Sequence, residues 1–370
     1  MASFVRWKSI VTSGMRRVAS EALHRVPTSL WRELYPKTEL GFCYHMVSDA
    51  RPPHLRHYPI LSPAEFQADL AYLRRHFNFT SYEQLVQRRG AAVVRDNSVI
   101  LTFDDGFAEC ATIVAPILRR HDVNCVFFVI TDLIDNRMPF RETEASLCIE
   151  AICRLPIEHV EAIVRDLRLD SRLRPPPERT AFSSLRLPLD IAGLDGQPHR
   201  RLRPLLHWLL TVGKDDMGLL RQLSDRLGID AQDYVLKARP YLTTRQILQL
   251  RADGFTIGAH SCGHHLLQDM TRADAELQII ESCRIVRDIT GQASVPFAFP
   301  YFGGGLDRIW LARLRHQNDF IGLFFDTDGL REDESFVVQR VFGERFSHDR
   351  TLDAILRRAW SRRPAWRGRD

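Results

Sequence analysis

Residues 99–106 read V-I-L-T-F-D-D-G, an apolar run that ends at two adjacent aspartates and a glycine. The run predicts a short buried strand over Val99–Phe103. A helix is predicted over Cys110–Arg120 and a further strand over Val126–Ile130. A strand, a helix and a strand in this order are typical of parallel β/α units, so this stretch indicates an α/β fold.

The same alternation continues along most of the chain. Further strands are predicted at Leu40–Tyr44, Thr256–Ala259, Val295–Phe299, Ile321–Phe325 and Val337–Phe342. Helices are predicted at Thr244–Ala252, Asp274–Thr290, Leu306–Arg315 and Leu352–Trp360. One more helix begins at Ser62-Pro63, because serine can cap a helix and proline suits its first turn.

Polar and ionisable residues cluster where the predicted strands end. They are His45, Asp104, Asp105, His260 and Tyr301. In a β/α barrel the carboxyl ends of the strands hold the active site, so the pattern predicts that these side chains share one face.

Residues 135–242 interrupt the alternation. Helices are predicted there at Ala145–Arg154, Ile157–Leu167 and Met217–Leu227, and a loop at Arg174–Pro177. We interpret the interval as a mostly helical insertion, which is either a lid or binding element or a surface addition that only completes the fold. The predicted organisation is a barrel over 39–134 and 243–356, the insertion over 135–242, a basic amphipathic segment over 1–38 and a basic tail over 357–370.

The composition is that of an ordinary globular protein. The 370 residues are 45% apolar and 26% charged, which excludes a fibrous chain, a disordered tail protein and a small disulfide scaffold. The net charge of +5 is mild and the 46 acids are interspersed with the bases, so we expect no nucleic-acid partner. The seven cysteines lack Cys-x-x-Cys spacing, which predicts neither a disulfide framework nor a structural zinc knuckle and favours a reducing compartment.

The first 26 residues combine apolar side chains at helical spacing with five surrounding basic residues. Such a basic amphipathic helix can lie in the headgroup layer of an anionic membrane, although it can equally pack on its own domain. The segment lacks the apolar core and cleavage site of a secretory signal, and no apolar run is long enough to span a bilayer. We therefore expect a cytoplasmic protein, with peripheral contact to the inner face of the membrane through residues 1–26.

Two short motifs carry the chemistry. His260 and His264 are four residues apart after a strand, a spacing that lets both imidazoles reach one metal ion. Asp104 and Asp105 end another strand, and adjacent carboxylates repel each other unless a cation neutralises them. Each motif alone has a plainer interpretation, a structural histidine pair and a capped Asp-Gly turn. Together they predict a site with two imidazole ligands, one carboxylate ligand and open positions for water.

Four motifs carry a resemblance to a known family. They are TFDDG at 102–106, HSCGH at 260–264, FAFPYFGGG at 297–305 and YHMVSD at 44–49. In their order along the chain they resemble the polysaccharide deacetylases, the carbohydrate esterases with NodB homology, and among these the branch that opens with a YHxVSD motif. The resemblance covers roughly residues 40–130 and 243–345.

The resemblance implies the fold, the reaction and the roles of the site residues. The implied fold is an irregular barrel of seven or eight β/α units. Asp105, His260 and His264 are the implied metal ligands, with zinc as the usual ion. Asp104 is the implied general base, and the backbone N–H of Tyr301 is the implied oxyanion donor. The implied reaction removes acetyl from the N-acetyl group of an amino sugar.

The chain departs from the family pattern at several positions. Ala298 stands where many members carry an arginine that orients the catalytic aspartate, and Arg340 in the last strand is our candidate for a replacement, the alternative being a surface arginine. We place Arg340 and Pro300 in the substrate-binding part of the site. The fourth motif of the family, which contains a tryptophan, has no clear match.

The residue that would act as general acid has more than one candidate. The family supplies it from a Leu-x-His motif near the C-terminus, but Leu314-Arg315-His316 lies too early and on a predicted helix. His45, after the first strand, and His348, after the last, are the alternatives, and we prefer His45 for its placement.

These observations predict a metal-dependent N-deacetylase. We expect its substrate to be an N-acetylated glycan made inside the cell, either a chitin-type oligosaccharide or a nucleotide- or lipid-linked precursor. Two other functions stay open, a barrel of this fold that binds glycan without catalysis and a hydrolase that uses the same chemistry on an O-acetyl ester or another amide.

Overall fold

The computed structural model describes residues 39–56, 58–90, 97–173, 201–213, 216–330, 333–345 and 351–361. The predicted amphipathic segment, the loop at Arg174–Pro177, His348 and residues 362–370 of the basic tail lie outside these ranges. The described strands are β1 (Leu40–Tyr44), β2 (Asn78–Phe79), β3 (Ser98–Phe103), β4 (Cys125–Val129), β5 (Thr256–Ala259), β6 (Val295–Ala298), β7 (Ile321–Asp326) and β8 (Val337–Phe342).

Seven parallel strands form a closed ring in the order β1, β8, β7, β6, β5, β4, β3, and β3 pairs back to β1. The short strand β2 pairs with β3 outside the ring. The predicted α/β barrel is therefore confirmed, as a seven-stranded barrel with one extra strand. All of its carboxyl ends lie on the same face, since every strand pairing in the ring is parallel.

Twelve helices accompany the strands in the described residues. They are α1 (Pro63–His76), α2 (Tyr82–Gly90), α3 (Ala115–Arg120), α4 (Arg141–Ile152), α5 (Ile157–Asp166), α6 (Arg203–Thr211), α7 (Met217–Arg226), α8 (Ala231–Ala238), α9 (Thr244–Ala252), α10 (Arg272–Thr290), α11 (Arg308–Gln317) and α12 (Leu352–Ser361). Ser62 caps α1 in a reciprocal capping box with Glu65, as its sequence predicts. The sequence patterns do not predict α2, α6 and α8, which are only eight or nine residues long.

The barrel encloses an apolar core rich in aromatic rings. Phe103, Phe127, Phe128 and Phe297 are fully buried in it. Each such side chain contributes about 1.5–3 kcal/mol by leaving water. The core therefore holds the strand ends, and the polar residues that follow them, in fixed positions.

The helices between β4 and β5 build a second apolar cluster of their own. Ile149 of α4, Leu206 of α6 and Leu223 of α7 are fully buried in that cluster. Helix α4 is also tied to the loop after β1, because Arg56 pairs with Glu150 and the backbone N–H of Arg56 donates to the Ser146 hydroxyl. These contacts hold α4 against the loop that follows β1.

Among the described helices, none combines the length and the apolar character that crossing a bilayer requires.

Candidate metal centre and active site

The structure brings the predicted metal ligands together at the carboxyl ends of β3 and β5. The ligand atoms of Asp105, His260 and His264 all lie within 4.8 Å of one another. The Nε2 atoms of both histidines are 3.5 Å from Asp105 Oδ1. The three residues are 1%, 2% and 5% exposed, so the cluster is almost completely removed from solvent.

The backbone around this cluster adopts the left-handed region at several non-glycine residues. The φ angles are +69° at Asp105, +61° at Ser261, +53° at His264 and +61° at Tyr301. Left-handed backbone at such residues costs about 1–3 kcal/mol each and is concentrated at functional sites. Gly106 also has a positive φ, and a Cβ there would meet Val129 at 3.1 Å, so the turn after Asp105 requires glycine.

Hydrogen bonds orient two of the ligands. His260 Nδ1 lies 2.9 Å from the carbonyl oxygen of Ala298, which makes Nδ1 the protonated nitrogen and leaves the Nε2 lone pair directed at Asp105. Burial lowers the pKa of His260 to about 4, so the ring is neutral at pH 7 and can bind a cation. The Tyr58 hydroxyl donates to Asp105 Oδ2 at 2.8 Å, and burial raises the pKa of that hydroxyl well above its ordinary value.

Asp104 has different partners from its neighbour Asp105. Arg340 donates two hydrogen bonds to the Asp104 carboxylate, at 2.6 and 2.9 Å, and a third to the Thr102 hydroxyl at 2.9 Å. Burial alone would raise the pKa of Asp104, but the Arg340 guanidinium lowers it well below the ordinary value. Arg340 is itself fully buried, so the alternative of a surface arginine is wrong. Its guanidinium contacts the Asp104 carboxylate.

His45 lies beside this pair with a carboxylate partner that the sequence motifs do not indicate. Its Nδ1 is 2.8 Å from Glu344 Oε1, and its backbone N–H donates to the same oxygen. Burial alone would lower the pKa of His45, but the charge and the hydrogen bond of Glu344 raise it to about 9. The His45 side chain is 14% exposed, so a substrate can still reach it.

The loop after β6 completes the described part of the site. Tyr301 follows the buried Pro300, and the centroid of its ring lies 4.7 Å from that of the His264 ring. The Tyr301 hydroxyl donates to Glu142 Oε1 at 2.7 Å and accepts from Arg141 at 2.8 Å. Arg141 and Glu142 begin helix α4, so the helices between β4 and β5 reach the catalytic face.

Four functional candidates are not predicted from the sequence: Tyr58, Arg141, Glu142 and Glu344. None of them belongs to a recognisable motif. A signal for Glu344 exists in hindsight, because it follows the last barrel strand as His45 follows the first. His316, from the Leu314-Arg315-His316 segment that matches the Leu-x-His pattern, lies exposed on helix α11 and not at a strand end.

The donor set fits a divalent cation. Asp105 Oδ1 is buried without a hydrogen-bond partner, although it lies between two imidazole nitrogens. An unpaired buried carboxylate oxygen is costly unless a cation balances it. Two imidazoles and one carboxylate are ligands that zinc accepts in catalytic sites. These residues would therefore hold such an ion.

Comparison with solved structures gives the following neighbours, all in the low range of sequence identity. The deacetylase PplD from Streptococcus pyogenes, solved in complex with acetate, has a TM-score of 0.50 at 14% identity and covers 87% of this chain and 98% of its own. IcaB from Ammonifex degensii has a TM-score of 0.46 at 16% identity, covering 88% and 97%. A de-N-acetylase from Aggregatibacter actinomycetemcomitans has a TM-score of 0.48 at 12% identity, covering 86% and 99%.

The similarity to PplD supports a shared fold. No curated protein matches the chain by sequence. A family profile described as polysaccharide deacetylase matches residues 91–164 and 222–317, which include Asp104, Asp105, His260 and His264. His45 and Arg340 lie outside the matched ranges. The profile match and the seven-stranded barrel together support the predicted polysaccharide deacetylase family, of NodB type.

Proposed function

We propose that the protein is a metal-dependent hydrolase that removes acetyl from N-acetylated amino sugars of an oligo- or polysaccharide, or of its lipid- or nucleotide-linked precursor. The observation that carries this proposal is the different environment of two adjacent carboxylates. Asp105 directs an unpaired oxygen at two imidazoles, while Asp104 is held by an arginine. One carboxylate is thus arranged for a cation and its neighbour for proton transfer.

Asp105, His260 and His264 would hold the ion, and zinc is the ion that suits them best. When bound, a divalent metal ion supplies polarisation of the acetyl carbonyl and lowers the pKa of an attacking water. The chain's own residues supply the proton transfers and the positioning.

Asp104 acts as the general base in this proposal. Its pKa is held well below the ordinary value, so it is ionised throughout the physiological range and can accept a proton from water. The bidentate contact with Arg340 fixes the direction of the carboxylate. Arg340 is therefore a positioning residue in the proposed mechanism and not the substrate-binding residue predicted from the sequence, because it is fully buried. The substrate-binding role of Pro300 stays a prediction.

His45 acts as the general acid. The amine that leaves the acetyl group needs a proton, and an imidazole with a pKa of about 9 is protonated at pH 7. The backbone N–H of Tyr301 is proposed to stabilise the oxyanion, since the left-handed turn at Tyr301 lies beside the ligand histidine.

A binding barrel without catalysis would not need this arrangement. A buried aspartate kept ionised by a buried arginine is costly to maintain, and ligand recognition alone does not require it. The structure therefore favours the catalytic function over the binding function.

The test is a screen for acetate release with the full chain, with and without added zinc. The substrates are chitin oligomers, nucleotide-linked N-acetylamino sugars and acetylated xylan. We expect zinc-dependent release from one of the N-acetylated substrates. Release from acetylated xylan alone would instead identify an O-acetyl esterase, and zinc-independent release would contradict the metal-dependent mechanism.

A further inference from the structure

The two histidines of the metal centre are oriented by different parts of the chain. His260 donates from Nδ1 to the carbonyl oxygen of Ala298, within the barrel. His264 directs its Nδ1 toward Glu142, the second residue of helix α4, with 3.6 Å between Nδ1 and Oε1. The second histidine thus faces a carboxylate from outside the barrel strands.

Two buried atoms at this contact have no hydrogen-bond partner. They are His264 Nδ1 and Glu142 Oε2. The other carboxylate oxygen, Oε1, already accepts from the Tyr301 hydroxyl at 2.7 Å and from Arg141 at 2.5 Å. A ring N–H and a carboxylate oxygen are complementary, and a small rotation of either group would join them.

We propose that Glu142 is a positioning residue of the metal centre, which accepts the Nδ1 proton of His264 and so directs its Nε2 lone pair at the metal. This inference rests on the proposed function. It assigns to the helices between β4 and β5 a direct part in the active site, because α4 carries the carboxylate that orients a metal ligand.

The physical reason is tautomer control. A neutral imidazole carries one proton, and the nitrogen that holds it cannot bind a metal. An acceptor at Nδ1 keeps the proton there and raises the basicity of Nε2. Loss of such an acceptor lowers metal affinity by about 10–100-fold in metal sites generally. Glu142 is held in place by its contacts with Arg141 and Tyr301 and by the apolar cluster under α4.

The experiment measures zinc affinity by competition with a chelator in wild type, Glu142→Gln and Glu161→Gln. Glutamine keeps the shape of residue 142 but cannot present acceptor oxygens to both Arg141 and His264. Glu161 is the control, since it lies on the neighbouring helix α5 and its substitution removes a solvent-exposed ion pair with Arg201. We expect the zinc dissociation constant to rise about 10–100-fold for Glu142→Gln. We expect it to stay at the wild-type value for Glu161→Gln.

A purely structural role for Glu142 would give a different result. It would lower the melting temperature of the metal-free protein and leave the zinc dissociation constant unchanged, which would overturn the inference. A wild-type protein that binds no zinc would instead refute the proposed metal centre, so the two failures are distinguishable.

A second measurement does not depend on the variants. In the zinc-loaded wild type labelled with ¹⁵N-histidine, we expect His264 to show a slowly exchanging Nδ1 proton. A proton on Nε2, or rapid exchange at Nδ1, would contradict the proposed contact with Glu142.

Discussion

Asp104 and Asp105 are adjacent in the chain and equally buried, yet their side chains meet different partners. The Asp105 carboxylate accepts a hydrogen bond from the Tyr58 hydroxyl and faces two imidazoles. The Asp104 carboxylate instead accepts two hydrogen bonds from the guanidinium of Arg340. The left-handed backbone at Asp105 separates the two side chains. A single turn at the end of β3 therefore gives two identical residue types different partners, which is the basis of the separate roles proposed for them.

The second residue-scale feature is the pairing of His45 with Glu344. His45, the proposed acid, must be protonated to act. Its pKa of about 9 therefore predicts that activity is lost at alkaline pH. The proton is bound below that pH and leaves as the pH rises through it. Activity is therefore expected to fall above about pH 9 in the wild type.

Replacement of Glu344 by glutamine removes the charge that raises the pKa of His45. We expect the alkaline limb of the kcat/KM profile to move from about pH 9 toward the ordinary histidine value of about 6.5. The pH dependence of kcat/KM measures this shift, with Glu281→Gln as the control, because Glu281 pairs with Arg284 on the outer helix α10. An unchanged alkaline limb in Glu344→Gln would remove His45 from the role of general acid.

At the scale of elements, the position of Arg340 depends on how closely β1 and β8 approach each other. Gly41 of β1 pairs with Arg340 of β8. A Cβ on Gly41 would lie 2.5 Å from Arg340 Cγ and 3.2 Å from the carbonyl oxygen of Gln339. Because Gly41 has no side chain, the aliphatic part of Arg340 can pack against β1 while its guanidinium reaches Asp104.

Gly41→Ala is expected to displace Arg340 and weaken its contact with Asp104. We expect a loss of about 1–3 kcal/mol in the free energy of unfolding, typical of overpacking, together with a fall in kcat. The control is Gly218→Ala on α7, where no atom lies within 4 Å of the added Cβ. It should keep kcat and gain up to about 1 kcal/mol from better helix propensity. A wild-type kcat in Gly41→Ala would show that catalysis does not depend on the packing of Arg340 against Gly41.

The strand ends were predictable because each one combines a local apolar run with a chemically distinctive residue. The aspartates after β3 and the histidines after β5 illustrate this. Glu344 and Glu142 were not predictable, because their partners are remote. Glu344 is 299 positions from His45, and only closure of the barrel between β1 and β8 brings them together. Glu142 meets His264 through the packing of a helical segment whose sequence resembles any amphipathic stretch.

On the scale of the whole molecule, both the barrel and the helices between β4 and β5 contribute residues to the site. The barrel supplies the residues proposed as ligands, base and acid, and the helices between β4 and β5 supply Arg141 and Glu142. The two apolar clusters under these parts are separate. Contacts between α4 and the loop after β1 join them next to the catalytic face.

The basic amphipathic pattern of residues 1–26 remains a prediction of peripheral membrane attachment. We expect the full chain to float with anionic liposomes and a chain without residues 1–26 to stay in the soluble fraction, because basic charge and an apolar face both favour such a surface. Liposome flotation at low and high salt measures this. Equal partitioning of the two chains would contradict the prediction and favour a helix packed on its own domain.

The most direct test of the central claim combines acetate release and bound zinc in wild type, Asp104→Asn and His264→Ala. We expect Asp104→Asn to keep its zinc and to lose at least about 100-fold in turnover, since a general base contributes about 10²–10⁴-fold. His264→Ala should lose both zinc and turnover, because it removes a ligand. Acetate release at the wild-type rate by Asp104→Asn would contradict the assignment of the base and with it the proposed division between Asp104 and Asp105.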